Sequence, residues 1–259
     1  MTKAIILAAG QGTRLRPLTN NKPKCLVPFL GKPLINYQIE VLNNSGIDDI
    51  NVVTGYKKEE IEKLGLNTTY NHSYENTNMV TSLFSAIDFI NSCEEDLIIS
   101  YGDIIYQSEN LTKLLECEDE MALMIDKDWR KLWDLRLENP LDDAETLVIN
   151  EHGFISEIGK KPQSYDEING QYTGLIKIKS NKIKDIVTEY NELDRDAQYD
   201  GNNFDNMYLT SFIQHLIDKG WRIKASLVSN GWLEVDSVDD LNCYEKLSKN
   251  NELDSIIKV

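Results

Sequence analysis

Residues 7–24 hold the side chains best suited to handling phosphate: Gly10, Gly12, Thr13, Arg14, Arg16, Lys22 and Lys24, interrupted by Pro17 and Pro23. Two glycines directly after an apolar run let the backbone turn tightly and aim amide hydrogens at an anion, and a guanidinium adds a planar fork of donors. The same G-x-G could be a plain turn after a strand. A Walker-type loop would need G-x-x-x-x-G-K-[ST], which is missing, and a dinucleotide fingerprint would need a third glycine where Leu15 stands. The basic surroundings favour a triphosphate cradle. They stand out because the chain is otherwise acidic, with 27 Lys and Arg against 43 Asp and Glu and a formal charge of -16. Such a balance repels nucleic-acid phosphates and anionic membrane surfaces, so neither is an expected partner.

An acidic chain that handles an anionic substrate must concentrate its few cations or cancel charge with a metal ion. Asp103, just past the apolar run 97–101 and behind Gly102, stands where a carboxylate holds Mg2+ against a triphosphate. Taken alone it serves equally well as a helix cap. Asp239 and Asp240 read as the start of the last helix, where carboxylates offset the helix dipole. None of His72, His152 or His215 lies in a motif, and Cys25, Cys93, Cys117 and Cys243 are scattered without metal-site spacing, as reduced structural thiols would be.

The elements that must position these groups alternate in type. Apolar runs suited to strands fall at 3–7, 50–54, 68–70, 96–101, 121–125 and 222–227, and helical spacing falls at 33–44, 57–64, 80–91, 108–116, 181–191 and 206–219, with a last helix from about 238. Strand–helix alternation predicts an α/β fold with a mainly parallel central sheet flanked by helices. Between about 129 and 179 the pattern shifts to short strand-like pieces (146–149, 154–158, 172–178) between turns, read as a smaller β-rich, substrate-covering insertion in one domain spanning 1–259. No stretch approaches a membrane span, and the short apolar run at the start does not fit a signal peptide, so a cytoplasmic enzyme is expected.

The segment LAAGQGTRLRPLTNNKPK at 7–24 resembles the signature G-x-G-T-R-x-x-P-x-T-x-x-x-P-K of the sugar-phosphate and choline-phosphate nucleotidyltransferases. That resemblance implies a Rossmann-like fold and transfer of a nucleotide from a nucleoside triphosphate to a phosphorylated substrate, with release of pyrophosphate. It places the triphosphate on the backbone of Leu7, Ala8, Ala9, Gly10, Gly12 and Thr13, with Tyr101 and Gly102 beside the nucleotide. Arg14 and Lys24 take the charge-stabilising, catalytic roles. Asp103 and Asp236, the latter in Trp232-Leu233-Glu234-Val235-Asp236, become the metal pair for Mg2+. The stretch 76–83 looks like the N-x-x-S-L segment of the cytidylyltransferases, which points Asn78 and Ser82 at the base of CTP; both would also serve as capping residues.

Substrate identity turns on the middle of the chain. Hexose enzymes of the superfamily carry Glu-Lys-Pro where this chain has Lys160-Lys161-Pro162. By resemblance Lys161 keeps the substrate phosphate, while Lys160 replaces the sugar-reading acid and argues for a small charged substrate. Trp129 and Trp133, at i and i+4, could enclose an ammonium group or pack on the core. Arg130, Lys131 and Arg136 suggest that a carboxylate is read as well. The expected substrate is an amino-acid-like phosphate compound, phosphoglutamine favoured, as in the cytidylyltransferases of capsular phosphoramidate synthesis; Tyr172 and Trp232 would lie against it. Phosphocholine, aminoethylphosphonate or a sugar 1-phosphate are the alternatives. A catalytically silent nucleotide sensor is the alternative class, disfavoured because Arg14, Lys24, Asp103 and Asp236 are all present. Oligomeric state is not legible.

Overall fold

The strand Lys3–Ala8 is apolar on both sides because it lies inside a sheet covered on both faces. Ala4, Ile6 and Ala8 point into one apolar core, and Ile5 and Leu7 into the other. A computed structural model of residues 1–259 places it in a seven-stranded sheet. The order across that sheet is Ile223–Val228, Met121–Asp126, Gln171–Ile178, Leu97–Tyr101, Lys3–Ala8, Asp49–Thr54 and Asn67–Tyr70. All neighbours pair in parallel except Gln171–Ile178, which runs antiparallel to both of its neighbours.

The mainly parallel, helix-flanked sheet agrees with the alternation of the sequence. The extent of the β-rich segment differs from expectation. Gln171–Ile178 sits in the middle of the main sheet, where Leu175, Ile176 and Ile178 are almost wholly buried. Only the short hairpin Leu147–Ile149 with Ile155–Ile158 stays outside that sheet. The helix expected over 80–91 is broken at Ala86 into Met79–Ser85 and Ile87–Asn91.

A second, two-stranded ribbon matters more for function. Ile104–Tyr106 pairs antiparallel with Trp232–Glu234, with Ile104 opposite Glu234, and Val235 N–H donates to the carbonyl of Asp103 at 3.0 Å. This ribbon carries the end of the chain back to the turn after Leu97–Tyr101. The two segments bearing Asp103 and Asp236 are thereby held side by side.

Candidate active site

The glycine loop is shaped by backbone demands. Gly12 has φ of +63°, and a Cβ there would meet Lys24 Cβ at 2.9 Å, so a side chain is excluded both by conformation and by space. Thr19 Oγ1 donates to the Gly12 carbonyl at 2.8 Å, and the single turn Thr13–Leu15 buries Leu15 completely, anchoring the loop on the core. Gly102 is needed for close approach: its N–H donates to the Leu7 carbonyl at 2.9 Å, and a Cβ would come within 2.6 Å of that same oxygen. Buried Gln38, from the helix Leu34–Asn44, fixes the turn by donating Nε2 to the carbonyls of Tyr101 (2.9 Å) and Ile104 (2.7 Å) and accepting from Ser100 Oγ (2.7 Å). Asp103 is thus presented by a turn with little freedom.

Three carboxylates converge there. Asp103, Glu234 and Asp236 each offer an oxygen within 4.8 Å of the others. Lys24 Nζ bridges two of them, 2.6 Å from Asp103 Oδ2 and 2.6 Å from Asp236 Oδ1, and Arg14 Nη2 reaches Asp236 Oδ1 at 3.0 Å. Arg136, its side chain only 4% exposed, closes the far side with contacts of 3.0 Å to Glu234, 3.1 Å to Asp236 and 3.0 Å to Asp240. Asp240 also accepts the N–H groups of Asp236 and Ser237 at 2.9 Å, forming a capping box with Ser237 at the start of Val238–Lys249. It does more than offset a helix dipole, since it holds both Arg136 and the backbone of Asp236.

Charge and burial compete in this cluster. Burial alone would lower Lys24, but Asp103, Asp236 and Glu234 around it hold its ammonium well above the ordinary lysine range. Burial alone would raise Asp236, yet Lys24, Arg14 and Arg136 more than offset it and keep the carboxyl below its usual value. Glu234 goes the other way, raised by burial and by the negative charge of Asp236. The oxygens suit a hard divalent cation. Asp103 Oδ1 is buried without any hydrogen-bond partner, which a bound Mg2+ would supply.

Two concavities meet at this cluster. The smaller, of about 140 Å³, is lined by Leu7, Ala8, Ala9, Gly10, Asn78, Ser82 and Gly102, together with Tyr74 and Thr77, and includes Lys24 and Asp103. The larger, of about 630 Å³, takes Gly10, Gly12, Thr13, Arg14, Lys24, Asp103 and Asp236 at its wall and adds Tyr101, Tyr172, Trp133, Trp232, Glu145 and Thr210. Most of the residues picked from sequence therefore line one or both. Asn78 and Ser82 already have partners inside the protein: the Asn78 side chain accepts from Met79 N at 2.8 Å, and Ser82 Oγ accepts from Asn71 Nδ2 at 3.0 Å.

Four of the expected residues are elsewhere. Lys161 Nζ donates to the carbonyls of Leu141 (2.5 Å) and Asp142 (2.6 Å), and Lys160 pairs with Glu157 at 2.6 Å on the surface; neither lines the cavity. Trp129 is buried against Trp133 and Tyr165, and Arg130 lies over the Tyr165 ring at 3.8 Å. Only Trp133 of the tryptophan pair faces the cavity, so the pair forms no open cage. The cations expected to read a carboxylate are likewise engaged by the protein, since Lys131 donates to the Ser255 carbonyl at 2.6 Å and Arg136 is spent on the acidic cluster. Glu145 and Glu234 escaped the sequence reading as site residues, and Arg136, expected to read a substrate carboxylate, holds the protein's own acids instead. Glu234 had a signal: carboxylates at i and i+2 on an extended segment share a face, and Glu234 and Asp236 are such a pair.

Known proteins resemble this chain in sequence and fold. The family described as nucleotidyl transferase matches residues 3–126. A CTP:phosphoglutamine cytidylyltransferase of Campylobacter jejuni is 46% identical over 250 residues, covering 92% of this chain and 97% of that protein. The chain belongs to the nucleotidyl transferase family. Among solved structures, the CTP:phosphocholine cytidylyltransferase of Streptococcus pneumoniae superposes on this nucleotidyltransferase with a TM-score of 0.71 at 25% identity, covering 96% of this chain and 99% of that one. The inositol-1-phosphate CTP transferase of T. maritima does so with a TM-score of 0.74 at 24% identity, covering 99% and 98%, and supports the fold. In this nucleotidyltransferase, the motif loop, the Gly102–Asp103 turn and the Trp232–Asp236 segment are the parts that meet at the junction of the two pockets.

Proposed function

We propose that this nucleotidyltransferase transfers CMP from CTP to a small phosphorylated, amino-acid-like substrate, phosphoglutamine being favoured, and releases pyrophosphate. The carrying observation is the meeting of the smaller pocket and the larger cavity at Lys24 and Asp103. A nucleotide seated in the smaller pocket would extend its phosphates to that junction, where a second phosphate can approach from the larger side. The name of the Campylobacter jejuni relative supports cytosine as the base and phosphoglutamine as the acceptor. No helix is long and apolar enough to cross a membrane, which is compatible with action in the cytoplasm, where CTP is available. A role in supplying capsular phosphoramidate follows from the same reading.

The residues then take these roles. The amides of the Gly10–Thr13 loop and the Arg14 guanidinium hold the triphosphate. Asp103, Glu234 and Asp236 would hold Mg2+, which when bound supplies Lewis-acid polarisation of the phosphates and neutralises their charge. Lys24 stabilises negative charge that grows on the oxygens around the α-phosphorus. A substrate phosphate oxygen is already an anionic nucleophile, so it attacks the α-phosphorus in line without a general base and without a covalent enzyme intermediate. Arg136 holds Asp236 and Glu234 in place and does not touch the reactants.

Pyrophosphate release with Mg2+, measured for CTP, UTP, GTP, ATP and dTTP against phosphoglutamine, phosphocholine, 2-aminoethylphosphonate and glucose 1-phosphate, tests this reading. Turnover with CTP and phosphoglutamine is expected. Preference for a hexose phosphate would overturn the substrate while leaving the family unchanged.

A further inference from the structure

Glu145 lines the larger cavity, and the structure pairs its carboxylate with no donor and no cation. Its charged neighbours are Asp143 and Asp200, both acids. The residue is nevertheless held firmly. Its N–H donates to Gln171 Oε1 at 3.1 Å, and buried Gln171 returns a bond from Nε2 to the Glu145 carbonyl at 2.6 Å. The following residue, Thr146, is tied to the turn after the hairpin through its N–H to the Lys160 carbonyl (2.8 Å) and its carbonyl to Gly159 N (3.1 Å). A carboxylate placed in a low-dielectric wall beside two other acids is costly unless something completes it.

Two tyrosines share the wall of this cavity. The Tyr172 hydroxyl is buried without a hydrogen-bond partner, and Tyr172 lines the cavity beside Tyr101, their rings 5.6 Å apart. The charge of Glu145 is felt at both tyrosines. The cations lining the cavity, Arg14 and Lys24, are committed to Asp236 and Asp103. The cavity therefore has a cationic, phosphate-receiving wall and a separate acidic wall that has no counter-charge of its own.

We infer that Glu145 is a specificity-determining residue that binds an ammonium group of the phosphorylated substrate. An ammonium supplies a positive charge and three donors, which suit an unpaired carboxylate. The inference rests on the proposed transfer of CMP to a small phosphorylated compound, and it names the group by which that compound is told from a neutral one. Lys160, on the surface with Glu157, has no part in the choice. Discrimination comes from leaving a half-buried acid unpaired when the wrong substrate binds.

The test compares wild type, Glu145→Gln and Glu145→Asp on matched pairs: phosphoglutamine against its desamino analogue, and 2-aminoethylphosphonate against propylphosphonate. For the charged member of a pair, Glu145→Gln should lower kcat/KM roughly tenfold to hundredfold, chiefly through KM, while the neutral member changes within about twofold. KM for CTP should not move, and Glu145→Asp should recover part of the loss. Equal losses on charged and neutral members would overturn the role of Glu145 even if phosphoglutamine is a good substrate. Wild-type enzyme that ignores every ammonium compound and turns over glucose 1-phosphate would overturn both this role and the proposed acceptor.

Discussion

Lys24 Nζ lies 2.6 Å from Asp236 Oδ1, a contact between residues 212 apart in sequence. It joins the motif loop at the start of the chain to the ribbon near its end. The same nitrogen holds Asp103 at 2.6 Å, so one ammonium spans two of the three carboxylates that would bind the metal.

Replacing Lys24 by Ala should therefore reduce turnover by about a hundredfold or more, the usual cost of losing a donor aimed at developing charge. The fold should survive, because the change empties a cavity wall and removes no core side chain. Pyrophosphate release and circular dichroism on the same preparation check both halves; near-normal turnover would remove Lys24 from the mechanism.

Arg136 should behave as a support. Its guanidinium faces Glu234, Asp236 and Asp240, and its side chain is almost fully buried. Arg136→Met would leave Glu234 and Asp240 without their cation and take one of three from Asp236, which costs about 3–5 kcal/mol when a buried partner is removed. For a chain of this size that is a fall in Tm of roughly 10 °C. Arg136→Lys should restore little, since an ammonium cannot reproduce the three-way fork. An unchanged Tm in the Met variant would mean that the cluster is solvated.

Metal removal gives a third expectation. Chelation should abolish pyrophosphate release and added Mg2+ should restore it. Asp103→Asn and Glu234→Gln should each raise the Mg2+ concentration needed for half-maximal activity by roughly tenfold or more, as changes even outside the ligand shell commonly do. Titrating Mg2+ at saturating CTP measures this. A Glu234→Gln enzyme with an unaltered Mg2+ requirement would leave Asp103 and Asp236 as the ligands.

Stability should depend on pH through Glu145. Burial, then the charges of Asp143 and Asp200, raise its carboxyl from the ordinary 4.5 to about 7. Tyr101 and Tyr172, the other groups facing it, stay neutral across this range because burial pushes them upward. The folded state binds the proton more tightly than the unfolded one. Its contribution is present below about pH 4.5 and is lost as pH rises through 7, an effect of about 3 kcal/mol. Glu145→Gln mimics the protonated acid, so its Tm should match wild type near pH 4.5 and exceed it at pH 8. Parallel melting curves at the two pH values decide; equal differences at both would show that the carboxyl is solvated.

Much of this protein was determined by the sequence alone. The strand, the glycine pair, Arg14 and Lys24 are local and ordered by short-range geometry, so their spacing carried the phosphate loop directly. Asp103, at a strand end behind a glycine, suited a helix cap equally well until the family resemblance pointed to the metal role. The strand–helix alternation gave the layered sheet, and the Trp232–Asp236 segment marked the second carboxylate by its resemblance. Tertiary structure decided the rest. A burial pattern does not state strand direction, so the placement of Gln171–Ile178, antiparallel inside the sheet, required its partners. Composition cannot say where a long side chain points. Lys161 found carbonyls at 141 and 142, Trp129 turned into the core, and Arg136 was drawn to acids about a hundred residues away. Glu145 lay in no motif, and its meaning arises only because folding surrounds it with acids and leaves it facing a cavity without a cation.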